Sequence, residues 1–158
     1  MTKTAPPRIP GATESAFRAL IRTCGLLGRV MHPYFARLGI SGSQWGILRT
    51  LHRAEEEGSG GLRLTDLGDR LLIRPASVTG AIDRLQRLGL VARDISTADL
   101  RAKQVSLTAN GRHLVQRVLS GHAAQIANVM AGLSPEELEQ LERLLSRLGA
   151  HFESLLAT

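Results

Sequence analysis

The sequence predicts a mainly α-helical fold with a small β-hairpin, and three observations predict it. Residues 64–72 (LTDLGDRLL) and 74–88 (RPASVTGAIDRLQRL) are two amphipathic segments separated by a single residue, and Gly89 closes the second. Residues 91–108 (VARDISTADLRAKQVSLT) alternate as two strands around a charged tip. Long apolar stripes at helical spacing lie on both sides of this middle region. Helix, turn, helix and basic hairpin make a winged helix-turn-helix, flanked here by long N- and C-terminal helices suited to dimerisation.

Bulk properties agree. The chain has 158 residues, enough for one domain or a small domain with appended helices. Its 43% hydrophobic content can build a core, and with only 3% aromatics that core must be Leu, Ile, Val and Ala. The net charge is +6, most of the cations are arginine, and the isoelectric point is about 10.9. That balance favours a polyanionic partner, nucleic acid first and an anionic membrane surface second. Arginine suits phosphate and guanine better than lysine does.

Several classes are excluded. One cysteine, Cys24, permits no intrachain disulfide and no cysteine zinc site. The five histidines form no His-x-x-x-His pair, so no metal or cofactor is expected. No apolar run reaches membrane-spanning length and the N-terminus lacks a signal-peptide core, so a cytoplasmic protein without membrane contact is expected. No nucleophile–base pair stands out, and no Lys-Ser/Thr follows the glycine-rich loop 58–61, which argues against an enzyme.

The elements follow in order. Residues 1–12 form a Pro-rich arm. Phe17, Leu20, Ile21, Cys24, Leu27, Val30, Met31, Tyr34, Phe35 and Leu38 then mark a helix of about six turns. Pro33 should bend or split it, and Gly39 should end it. Ser41 and Gln44 form a capping box for a second helix bearing Trp45, Leu48 and Leu51. Residues 62–64 add a short strand. After the hairpin, Thr108 caps a long helix over 109–130. Ser134 and Glu137 box the start of a last helix, with Pro135 at its first position. Residues 13–40 and 109–158 thus form the dimerisation region and 41–108 the winged unit. The outer stripes exceed what a compact winged domain can cover, so they should pack on each other and on a second copy.

On a helical wheel Val78, Ala81, Ile82, Leu85 and Leu88 gather on the core side of the recognition helix. Ala76, Gly80, Asp83 and Arg87 face outward, flanked by Ser77 and Arg84 on one side and Thr79 and Gln86 on the other. Small residues at 76 and 80 would let the backbone approach base edges. Ser77 and Thr79 can bond bases or phosphate, Arg84 and Arg87 suit phosphates, and Arg74 can reach backbone or guanine. The wing carries Arg93, Asp94, Asp99, Arg101 and Lys103. Asp99 and Arg101 share a side in extended structure, so the carboxylate can orient the guanidinium for a narrow minor groove. A dimer would present two such units to a pseudo-palindromic duplex.

The run from Asp99 through Arg101, Val105, Leu107 and Thr108 to Gly111 resembles the D-x-R-x-x-x-V-x-L-T…G signature of MarR-family (multiple antibiotic resistance regulator) transcriptional regulators. The Gln44-Trp45 region and the pattern Leu67…Val78-Thr79…Leu85…Leu88-Gly89-Leu90-Val91 are similar to that family too. The likeness covers about residues 14–156. It implies a homodimeric winged-helix repressor whose first and last helices form the dimer, with Arg101 as the wing arginine and Asp99 as its orienting acid. Gly80 departs from a family position that is often polar or basic.

The resemblance also implies release from DNA by a small aromatic or phenolic ligand. Arg22, His32, Trp45 and His52 are the candidate liners: a cation for a carboxylate and a ring for stacking. Trp45, being on the apolar face, is first of all a core residue. Some relatives sense hydroperoxides through a first-helix cysteine. Cys24 falls inside the apolar stripe, and its burial there would raise its pKa and make it inert. A winged module that binds protein rather than specific DNA is the other alternative.

Overall fold

A computed structural model describes residues 11–71, 75–95 and 103–157. Its order is α1 (Gly11–Ala36), α2 (Gly42–Glu56), β1 (Leu62–Arg63), α3 (Leu64–Leu71), α4 (Pro75–Arg87), β2 (Val91–Ile95), β3 (Lys103–Leu107), α5 (Ala109–Met130) and α6 (Pro135–Leu156). The described residues fall into two compact units, one ending at Val118 and one beginning at Leu119.

Local chemistry sets the boundaries. Gly39, at φ 77°, ends α1: its N–H donates to Ala36 O and that of Ile40 to Phe35 O. Ser41 Oγ accepts from Gln44 N at 3.2 Å, and Gln44 Oε1 accepts from Ser41 N at 2.8 Å, so the capping box of α2 is closed. Ser134 and Glu137 repeat that exchange at the start of α6. The Ser134 hydroxyl also donates to Glu136, whose carboxyl is held below its ordinary range by its own backbone N–H and then by that serine.

Of the two outcomes expected at Pro33, a bend or a split, the split does not occur: the helix runs through the proline to Ala36. A proline removes a single ladder bond, and Pro33 sits within the last turn, where its carbonyl still accepts from Arg37 N.

The first unit has one core. Ile47, Leu48 and Leu51 of α2, Leu67 of α3, and Val78, Ile82 and Leu85 of α4 meet Val91, Val105, Val115 and Val118, all with essentially no solvent contact. An antiparallel sheet in the order β1-β3-β2 closes one side. Its register pairs Leu62 and Arg93 with Val105 on opposite edges of β3, and Val91 with Leu107. Tyr34 anchors the end of α1: its hydroxyl donates to Val118 O at 2.7 Å, and burial pushes its pKa up against the pull of Arg37.

The rest of α1 is different. Phe17, Ile21, Leu27 and Val30 are exposed, and only Tyr34 and Phe35 of that helix are buried. In the second unit α6 buries none of its residues: Leu144, Leu145, Phe152 and Leu155 all lie open to solvent in the single chain. Cys24 is exposed as well, so the burial expected from its place in the stripe does not occur within one chain.

Candidate nucleic-acid interface

Helix α4 begins at Pro75. Val78, Ala81, Ile82 and Leu85 are buried, and they fix the rotation of the helix about its axis. Ser77, Thr79, Arg84, Gln86 and Arg87 are consequently exposed, while Gly80 and Asp83 are half-buried. A Cβ built on Gly80 would have room, with Arg84 Nη1 nearest at 3.8 Å. Packing therefore does not require glycine there, and its absence of side chain leaves the helix surface open. Arg74, Asp99 and Arg101 lie outside the described residues, as does the side chain of Lys103.

The wheel misplaces one residue. Leu88, assigned to the core side, is 52% exposed. Helix α4 stops at Arg87, and Gly89 at φ 69° turns the chain, its N–H donating to Gln86 O and that of Leu90 to Leu85 O. Leu88 is thus already leaving the helical path. It lines an open concavity of about 350 Å³ with Leu38, Leu90, His113, Leu114 and Arg117.

The corner from α4 into β2 is clamped by α5. Thr108 N donates to Leu90 O at 3.1 Å, and its hydroxyl donates to Gly89 O at 2.6 Å. The same oxygen accepts from Gly111 N at 3.0 Å, capping α5 as expected. A Cβ on Gly111 would stand 2.0 Å from Leu90 O, so only glycine fits. The Leu-Thr…Gly part of the sequence signature is thereby accounted for: it seats α5 against the end of the recognition helix.

The wing is tied to the same helix. Arg93 of β2 places Nη2 2.6 Å from Asp83 Oδ1 of α4. The geometry is that of an ion pair without hydrogen-bond alignment, and Arg93 Nε and Nη2 are both shielded from solvent. Farther back, Arg112 of α5 donates from Nε and Nη2 to the two carboxylate oxygens of Glu55 at 3.0 and 2.8 Å. Those bonds raise the Arg112 pKa. Sequence reasoning had noted Asp83 and Arg93 separately and missed both pairs. Each joins residues on different elements, which periodicity cannot connect.

The four suggested ligand liners stand in different surroundings, with Phe35 beside both His32 and Trp45. Trp45 is core, stacked on Phe35 at 6.1 Å between ring centres. His52 is held 3.0 Å from Arg49 Nη1, 3.5 Å from Glu56 and 3.3 Å from Gln116. Arg22 is exposed. His32 lines a second concavity of about 330 Å³ with Cys24, Leu27, Met31 and Phe35. Among the described residues no group of His, Cys, Asp and Glu is placed to hold a metal, and no helix is long and apolar enough to cross a membrane.

A MarR family model matches residues 38–102. The repressor YetL of Bacillus subtilis, named as helix-turn-helix type, is 33% identical over 140 residues, covering 89% of this chain and 82% of that one. The chain belongs to the MarR family. It is a DNA-binding transcriptional regulator by that membership, as its winged unit anticipates. Solved structures of the family share its fold. AbsC, a MarR family regulator from Streptomyces coelicolor, superposes with a TM-score of 0.81 at 22% identity, over 94% of this chain and 99% of that one. Another MarR family regulator from the same organism, solved in complex with DNA, gives 0.78 at 23% identity, over 93% and 91%.

Proposed function

We propose that this MarR-family protein is a homodimeric repressor that reads a pseudo-palindromic duplex. The outward face of α4 enters the major groove and the wing tip probes the adjacent minor groove. The carrying observation is the division of α4: Val78, Ala81, Ile82 and Leu85 are buried, while Ser77, Thr79, Arg84 and Arg87 stand exposed. Ser77 and Thr79 meet base edges or phosphate, Arg84 and Arg87 position the helix on phosphates, and Arg74 and Lys103 add backbone contacts. Arg101, oriented by Asp99, supplies the minor-groove probe. The exposed apolar faces of α1 and α6 support the dimer, since stripes of this size are otherwise left in water. The repressor named among its relatives supports the sign of regulation. Such a regulator works on chromosomal DNA in the cytoplasm.

Release by a small aromatic acid completes this reading. The concavity beside His32 offers apolar walls and one ring nitrogen pair for a carboxylate. The test of DNA reading is a salt titration on duplexes that the protein itself selects from a random library. Affinity that falls steeply with salt and stays higher for selected than for scrambled duplex supports the reading. Weak, salt-insensitive binding without preference contradicts it. Benzoate, titrated into the protein–duplex complex, tests the effector: release abolished by His32→Ala is the expected result.

A further inference from the structure

Asp83 poses a physical problem. It lies on the side of α4 turned away from the core, between Gly80 and Arg87 and beside Arg84. A carboxylate there faces incoming phosphates and repels them. Arg93 resolves the problem, because its Nη2 lies 2.6 Å from Asp83 Oδ1. The partners are only part-exposed, at 26% for Arg93 and 47% for Asp83, so water screens them less than it screens an open surface pair.

The consequence is geometric. Arg93 belongs to β2, where it pairs with Val105 of the central strand. Its side chain therefore joins the body of the wing to the DNA-facing side of the recognition helix, independently of the core beneath. Two further charges near the pair, among the described residues, belong to α4 itself. Arg87 Nε reaches Asp83 only through the backbone carbonyl, at 3.4 Å, and Arg84 is exposed. Helix and wing enter two grooves at once, so an error in the angle between them costs contacts in one groove or the other.

We propose that Asp83 and Arg93 form a positioning pair that sets the angle between recognition helix and wing, and through it the preference for a particular duplex. This rests on the DNA-reading role above. Asp83 removes indiscriminate phosphate attraction, and Arg93 holds the wing where the specific contacts form.

The test uses full-length protein and two duplexes, one selected from a random library by the unaltered protein and one scrambled. Fluorescence anisotropy at fixed salt gives the ratio of the two affinities. Asp83→Asn is expected to lower that ratio about tenfold, largely by strengthening binding to the scrambled duplex, with thermal unfolding unchanged. Arg93→Ala lowers it too, and Arg93→Lys keeps part of it. The double exchange Asp83→Arg with Arg93→Asp recovers preference that each exchange alone loses. The proposal is overturned if Asp83→Asn leaves the ratio unchanged. It is overturned equally if the double exchange is no better than the single exchanges, or if both affinities fall together in step with a lower melting temperature. Failure of the DNA-reading role itself would look different, because the unaltered protein would then select no duplex.

Discussion

Helix α4 buries Val78, Ile82 and Leu85 completely, whereas α6, an equally amphipathic helix, buries nothing within its own chain. Both carry apolar residues at helical spacing, so periodicity alone does not separate them. The difference is in what surrounds each. The winged unit has a sheet and several helices converging on one core, and it closes on itself. The apolar faces of α6 and of the first turns of α1 have no such cover, although residues as large as Phe17 and Phe152 stand on them. One region buries its apolar faces within the chain, and the other leaves them exposed, as the proposed dimer requires.

The largest effects should break this contrast from the inside. Ile82→Ala, at a site with no solvent contact, is expected to lower stability by about 2–5 kcal/mol in urea unfolding. Phe152→Ala should cost far less within the chain, since that ring is 46% exposed there. Its effect should appear in association instead. Phe17→Glu combined with Phe152→Glu is expected to weaken self-association by at least about 2 kcal/mol, read by sedimentation, with helix content kept.

Next in size is Gly111→Ala, whose new methyl would collide with Leu90 O. We expect a loss of about 1–3 kcal/mol, together with weaker binding to selected duplex, because the clash displaces the end of α4. Arg101→Ala should cost about 1–3 kcal/mol on selected duplex and little on scrambled duplex, while Arg87→Ala should weaken both alike and lower the salt slope. The smallest effect is expected at Glu55. Its pair with Arg112 is half-exposed at the arginine, so Glu55→Gln should cost under about 1 kcal/mol, and less as salt rises.

What was legible in the sequence follows the range of the interactions. The capping boxes at Ser41 and Ser134, the turns at Gly39 and Gly89, and the inner face of α4 from Val78 to Leu85 are set by neighbours within a turn or two, and these appear as read. Leu88 was misread because a helical wheel assumes that the helix continues, and Gly89 ends it. Pro33 does not end α1, because it falls in the last turn of a 26-residue helix, where few ladder bonds remain to be disturbed. Cys24 was read as buried because an apolar stripe marks a face to be covered without saying by what. The Asp83–Arg93 and Glu55–Arg112 pairs link separate elements and leave no periodic trace. The glycine of the Leu-Thr…Gly signature was visible as a pattern, but its reason, the Leu90 carbonyl against it, needed three dimensions.

The measurement that bears most directly on the account is sedimentation equilibrium of the full-length protein at micromolar concentration, in low and in high salt. An interface made of the apolar faces of α1 and α6 predicts twice the chain mass of 17.1 kDa in both salts, since burial of apolar surface is not screened. A single-chain mass from a protein whose helices remain folded would contradict it, because those faces would then be stable in water uncovered.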